Sequence, residues 1–385
     1  MTRRRLPKKV NKSKKSGIDM PLFITLLVML AFGLIMIFSA SSPSAYYEVG
    51  DKFYYIKRQL LFTTLGFGAL FFCMNYPIQK IRRQTYFLCG ISALLMLLVI
   101  LIGQTGGGAQ RWLALGPITF QPSELAKYVL IFLFAKLLTE RPKNHLDNFI
   151  TGFLPYIGII GVVGVFMLLQ DHLSGLVIIF ASLMVLLIAG GARFSHIGIM
   201  GALGGGALAL MAIFEPYRMK RLTAFFDPFA DKMDTGWQIV QGLYAIGSGG
   251  MFGRGLGQSR QKFLYIPEAH NDYIYAIICE ELGFVGAIFV ALLFAVFITR
   301  GIYIALNCPD KFSSLTAFGI TTVLGLQYLI NVGVVTSSIP NTGMQLPFFS
   351  AGGSSLIIMM GAVGVLLNIS RYAKKKGGNE EETEE

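Results

Sequence analysis

Apolar residues fall in long runs along this chain, broken by short polar segments, from residue 21 almost to the end. A membrane-spanning helix needs about 20 mostly apolar residues. Ten runs meet or approach that length: 21–39, 60–74, 86–102, 125–138, 153–169, 173–189, 197–214, 273–298, 317–335 and 356–368. The second and fourth are short in apolar content, which predicts tilt or partly interfacial placement. The pattern predicts an all-α polytopic membrane protein with a basic tail over 1–18, a ten-span domain over 19–370 and a charged tail over 371–385. The longest connection, 215–271, joins the seventh and eighth runs. A loop of that length in a compact protein usually carries function.

Composition supports this reading. The 385 residues are 54% hydrophobic and 14% charged, whereas soluble domains carry about 25% charged residues. The net charge of +12 is scattered among apolar runs, which argues against a nucleic-acid partner. Of the 33 Lys and Arg, 21 lie in 1–18, 76–84, 136–143, 193, 300–311 and 371–376. All of these segments fall on one side of the membrane if the N-terminus is cytoplasmic. The positive-inside rule then places both termini in the cytoplasm and 215–271 outside. The basic start followed by an apolar run also fits a signal peptide, but the run is long for one, and a retained first span is expected. The four cysteines suggest no disulfide framework, and the four histidines are too scattered for a metal site.

Ionisable residues inside apolar sequence are expensive and mark sites by default. The densest set is in KFLYIPEAHNDYIYAIICEELG at 262–283, which holds Lys262, Glu268, His270, Asp272, Glu280 and Glu281. Asp272 reads either as the N-cap of the following helix or as a general base. Glu280 lies about 80° from it around a helix, and Glu281 about 180°. Asp272 and Glu280 are thus expected to face one cavity, with Glu281 turned toward a neighbour. In YRMKR, Arg218 and Arg221 share a helix face. They suit either the phosphates of a lipid-linked substrate or anionic headgroups. Glu124 and Lys127 are one helical turn apart, placed for a mutual salt bridge that also lines a polar cavity. Arg111 and Trp112 suit an interfacial anchor or a substrate contact. Gln170, Asp171 and His172 read as a short polar turn. Glycines 247–257 read as a tight or re-entrant turn with close backbone packing, not a dinucleotide fingerprint, because no βαβ context surrounds them. The Pro-, Gly- and Ser-rich stretch 331–355 is expected to be a re-entrant segment lining a cavity.

Five of these motifs resemble the SEDS family (shape, elongation, division and sporulation), which includes FtsW, RodA and SpoVE. The carriers are GGAQRW at 107–112, FQPSELAK at 120–127, YRMKR at 217–221, the whole of 247–283, and LPFFSAGGSS at 346–355. The ending LLNISRYAKKK is nearer the division and sporulation branches. The resemblance implies a ten-span peptidoglycan glycosyltransferase of the bacterial cytoplasmic membrane that polymerises lipid II on the outer face. It implies an essential carboxylate at Asp272, a polar cavity near Glu124 and Lys127, and a role for Arg111 and Trp112. Arg218, Arg221, Lys262, Glu268, His270, Glu280 and Ser354 complete the expected substrate-binding set. It also implies a class B penicillin-binding protein as partner, alongside other divisome or sporulation proteins. A divalent cation, Mg or Mn, would suit the chemistry, though no motif demands one. The family often has QPDLGT where this chain reads QDHLSG at 170–175, so no role is carried onto Asp171 or His172. The rival readings are a lipid II flippase, using Glu124, Lys127, Glu280 and Glu281 as a polar path, and a non-enzymatic division scaffold.

Overall fold

The computed structural model describes residues 17–106, 109–116, 118–142, 145–214, 216–230 and 236–373. Ten long helices occupy the ten apolar runs. They are α1 (Met20–Val49), α2 (Tyr54–Asn75), α3 (Ile78–Ile102), α4 (Pro122–Glu140), α5 (Leu154–Leu169), α6 (Leu173–Ala189), α7 (Phe194–Phe214), α10 (Ile274–Asn307), α11 (Lys311–Val335) and α12 (Gly353–Ser370). Among the described residues, six of them are long and apolar enough to cross a membrane, counting α5 with the π-helical turn before it. Two shorter helices, α8 (Pro216–Phe226) and α9 (Trp237–Gly249), stand in the long connection, so it is built rather than structureless.

Two boundaries differ from expectation. Helix α1 runs past residue 39 to Val49, carrying Pro43 in its interior, and stops at Gly50 in the left-handed conformation. Strands β1 (Gln104–Gly106), β2 (Ala109–Leu115) and β3 (Ile118–Phe120) form a small antiparallel sheet between α3 and α4. That segment lies between two spans, where its backbone pairs in a short ladder instead of continuing a helix.

Packing relies on small residues, because lipid tails supply no hydrophobic drive between helices. Helix α12 lies along α2, and a Cβ on Gly364 would stand 2.4 Å from the Leu70 carbonyl oxygen. At the end of the bundle near the chain termini, Asp19 caps α1 by accepting from the Leu22 amide at 3.0 Å and receives Arg300 Nε from α10 at 3.2 Å.

At the opposite end, α10 breaks at Gly283, where φ is +65°. The glycine-rich segment after α9 wraps around this break. The amides of Arg254 and Gly255 donate to the carbonyls of Glu280 and Glu281, at 3.0 and 2.9 Å. A Cβ on Gly249 would meet the Cys279 carbonyl oxygen at 1.9 Å. The close backbone approach read from glycines 247–257 is therefore present.

Gly249→Ala is expected to destabilise the protein by about 1–3 kcal/mol, the usual cost of overpacking. Gly247→Ala on the same helix meets nothing within 4 Å and is expected to be neutral or better. Thermal melts of the two variants in detergent check the contrast.

Candidate active site

The sequence-predicted residues separate into three groups. The first surrounds Asp272. This residue is not a helix cap: Tyr273 holds the N-cap position of α10, and no side-chain cap bond is made there. Asp272 is half-buried, and its Oδ1 is enclosed with no hydrogen-bond partner. Burial raises its pKa to about 6; Glu268 pushes in the same direction, and Arg221 pulls it back. Arg221 also donates from Nη1 to the Asn341 carbonyl at 3.4 Å. Gly343, at φ +65°, stands near this carboxylate: a Cβ added there would lie 3.7 Å from Asp272 Oδ2. Arg218 belongs to the same helix, α8, but its side chain lies outside the described residues.

Glu268 and His270 precede Asp272 on the same loop. Glu268 accepts from Asn271 Nδ2 at 2.6 Å, and burial raises its pKa. His270 is buried, its ring centroid lies 4.2 Å from that of Tyr55 with the planes tilted by 45°, and its pKa is held to about 4, chiefly by burial. It is therefore neutral at pH 7, and its 3.6 Å contact with Glu268 is not an ion pair. The His270 carbonyl accepts from the Ala351 amide at 3.0 Å. This bond ties the loop before Asp272 to the irregular segment between α11 and α12.

Three residues that sequence reasoning did not single out hold this group in place. Asn331 on α11 is fully buried and donates from Nδ2 to the carbonyls of Asp272, at 2.8 Å, and Met344, at 2.6 Å. Two facing carbonyl oxygens fix which end of the amide carries the protons. Gln238 on α9 donates to the Pro267 carbonyl at 3.4 Å and accepts from Asn341 at 3.0 Å. Asn341 is thereby linked to both Gln238 and Arg221. The available signal was a pair of amides, Gln327 and Asn331, four residues apart within apolar α11.

The second group lies one turn along α11. Lys127 and Glu124 form the expected buried ion pair at 2.8 Å, and Lys127 also reaches Gln327 Oε1 at 3.5 Å. Ser354, at the start of α12, accepts from the Gln121 amide at 3.3 Å. Arg111 donates to the Asp171 carbonyl at 2.5 Å. His172 is more than a turn residue. It is buried, and its pKa is lowered to about 3, first by burial and then by the positive charges of Arg111 and Lys127. Trp112 stands beside Arg111 on β2, paired across the sheet with Gln104.

The third group corrects two expectations. Lys262 is paired with Glu281 at 2.8 Å and bonds Ser39 Oγ at 3.2 Å and the Gly257 carbonyl at 2.7 Å. It is 5% exposed, and every donor bond named here is to a neighbour in this clamp. Glu280 accepts from Ser259 Oγ and from the amides of Arg260 and Gln261 at 2.5–3.3 Å. The structure thus places Lys262 and Glu280 in a clamp around the α10 break, not in a common cavity with Asp272. Periodicity on an ideal helix could not foresee that the preceding loop folds back onto these carboxylates.

The family model described as "Cell cycle protein" (FTSW_RODA_SPOVE) matches residues 20–375. Stage V sporulation protein E of Bacillus subtilis (strain 168) is 43% identical, covering 94% of this chain and 99% of its own. A probable peptidoglycan glycosyltransferase FtsW of Geobacter sp. (strain M18) is 40% identical, covering 92% and 97%. Among solved structures, a chain from a peptidoglycan synthase complex that coordinates polymerization and crosslinking superposes with TM-score 0.75 at 28% identity, covering 92% and 98%. The rod shape determining protein RodA of Thermus thermophilus superposes at 0.68 and 27%, covering 96% and 100%.

Removing one partner of a buried ion pair strands the other charge and typically costs about 3–5 kcal/mol. Lys262→Met is expected to lower thermal stability by that order, whereas Arg221→Met, on an exposed residue, is expected to leave the melt nearly unchanged. A melt of Lys262→Met at the wild-type temperature would return Lys262 to the ligand-binding set.

Proposed function

The chain belongs to the FtsW, RodA and SpoVE family, and from that membership we propose that Asp272 is the general base with which it polymerises lipid II. It is a membrane peptidoglycan glycosyltransferase of the division and sporulation type. In the proposed step Asp272 takes the proton from the 4-hydroxyl of the acceptor sugar. That oxygen attacks the anomeric carbon of the donor, and undecaprenyl pyrophosphate departs. Arg221, with Arg218 on the same helix, would face the negative charge growing on the pyrophosphate, where fixed charge stabilises a transition state most.

The observation that carries this reading is the enclosed, unpartnered Oδ1 of Asp272. A base must be ionised to accept a proton and basic enough to want one. Burial raises the pKa to about 6, so at pH 7 the carboxylate is largely ionised yet more basic than an exposed aspartate. Glu268 and His270 are proposed to shape the approach of the acceptor. Arg111, Trp112, Glu124, Lys127 and Ser354 are proposed to line the far side, joined to Asp272 through Gln327 and Asn331. The flippase reading needs its four ionisable residues along one path. Glu124 is paired with Lys127, while Glu280 and Glu281 serve the separate clamp.

Among the described residues, no three His, Cys, Asp or Glu side chains gather as metal ligands. The described residues do not by themselves make a cage for Mg or Mn. The proposed partner is a class B penicillin-binding protein, supported by the likeness to a chain of a complex that joins polymerization to crosslinking. Co-purification in detergent with the candidate transpeptidase from the same cell, and faster polymerisation on adding it, are the expected results. The bacterial cytoplasmic membrane, with both termini inside, is the proposed location. A single cysteine at Ser338, in a cysteine-free protein, should then react with an impermeant thiol reagent on intact cells, and one at Gln79 should not.

Asp272→Asn tests the base. It should cut lipid II polymerisation by about 10²–10⁴-fold. The sign for stability is opposite. Folding raises this pKa from 3.8, so ionisation opposes folding; the cost is absent well below pH 4 and complete above about pH 6. The Asn variant should therefore melt at or above the wild-type temperature at pH 7. Wild-type activity should fall as pH drops through about 6. Substantial polymer from well-folded Asp272→Asn would remove Asp272 from the mechanism.

A further inference from the structure

A second polar recess opens away from Asp272. It is a cavity of about 420 Å³ whose walls include Tyr244, Ser248, Arg254, Arg260, Gln261 and Glu280. The clamp builds it: α9 forms one wall, the glycine-rich segment another, and the end of α10's first part the floor. Arg254 is partly committed, with Nε 3.4 Å from the Ser248 carbonyl and 3.8 Å from Glu280. The Arg260 guanidinium makes no hydrogen bond or ion pair among the described residues, although its backbone amide is held by Glu280. Gln261 Oε1 is enclosed and unpartnered. The Glu280 oxygens are already engaged by Ser259 and two amides, which lowers their repulsion toward an incoming anion.

The surroundings are apolar and outward-facing. Met251, Phe252, Leu256 and Phe263, on the same segment that carries Arg254 and Arg260, are 53–80% exposed. Their depth follows from α10. Gly283 is about 25 Å along the helix from Arg300 at 1.5 Å per residue, close to the roughly 30 Å thickness of a hydrocarbon core. Arg300, paired with Asp19, marks the other boundary. The recess therefore sits at the headgroup level on the Asp272 side, with its aromatic and aliphatic rim at the acyl boundary. Interfacial proteins use this combination of basic polar face and exposed Phe, Leu and Met.

We propose that Arg254 and Arg260 form a binding site for the phosphate of a membrane lipid, with the acyl or prenyl chain lying against Met251, Phe252, Leu256 and Phe263. Two guanidinium forks match phosphate oxygens, and Gln261 stands at the same wall. The ligand chemistry is a lipid-borne phosphate, whether from a phospholipid headgroup or a polyprenyl phosphate. The site is separate from the one around Asp272, so it stands whether or not Asp272 is the base. Binding here would brace the clamp that shapes the α10 break.

The test uses full-length protein in detergent and native mass spectrometry with three probes: phosphatidylglycerol, undecaprenyl phosphate and zwitterionic phosphatidylcholine. Wild type should retain at least one of the two anionic lipids more tightly than phosphatidylcholine. Equal retention of both anionic lipids assigns the site to bulk lipid; preference for undecaprenyl phosphate assigns it to the lipid carrier. Arg260→Gln should weaken anionic-lipid binding by about tenfold, as expected for one charged hydrogen-bonding group, and Arg260→Lys should restore part of it. The Arg254→Gln/Arg260→Gln variant should lose the preference altogether. Photoactivatable phosphatidylglycerol and undecaprenyl phosphate on the unmodified protein give an independent readout, with labelling by the retained lipid expected within 244–263. Unchanged anionic preference in the double variant, equal binding of phosphatidylcholine to wild type, or labelling by both probes confined to other segments would overturn the proposal.

Discussion

Two adjacent buried carboxylates on α10 impose the constraint on which this end of the protein depends. Glu280 and Glu281 are essentially unexposed, and a charge taken out of water is tolerated only if it is paired and hydrogen-bonded. The chain meets this demand by folding the glycine-rich segment back over them. Lys262 and Ser39 satisfy Glu281, while Ser259 and two amides satisfy Glu280. The carbonyls of the same two residues accept from Arg254 and Gly255. Loop, α1 and the broken α10 thus become one unit, and only glycine allows the backbones to approach closely enough.

Asp272 is presented by that unit. The segment leading to it leaves the clamp at Lys262 and is picked up by Trp237 and Gln238 of α9, which bond the carbonyls of Tyr265 and Pro267 at 2.7 and 3.4 Å. It is then fastened from the other side by Asn331 and the Ala351 amide. These attachments bond the backbone and leave the carboxylate oxygen Oδ1 unpartnered. A carboxylate left so is costly to the fold, and its raised pKa expresses that cost. The same raised pKa is what the proposed role as general base requires near neutral pH.

The seam along α11 gives the two polar groups a common support. Gln327 touches Lys127, and Asn331 holds Asp272, one turn apart on a helix that is otherwise apolar at this depth. In an apolar bundle each such amide needs a partner. The seam therefore fixes how α4, α10 and α11 sit against one another as well as how the two groups are spaced.

Hydropathy alone placed the ten long helices, because length and apolarity are properties of the chain rather than of its partners. The Glu124–Lys127 pair and the close packing of glycines 247–257 were legible for the same reason: a one-turn spacing and a lack of side chains act locally. The sequence also marked Asp272 as chemically unusual, but it left capping and catalysis open, since both begin from an Asp before a helix. Tertiary structure decided that it is not the cap, that Lys262 and Glu280 belong to the clamp, and that His172 stands beside Arg111 and Lys127. Those outcomes depend on which long-range partner satisfies each buried charge. Ser39 and Glu281 are 242 residues apart along the chain, and no periodicity within either helix specifies that they meet.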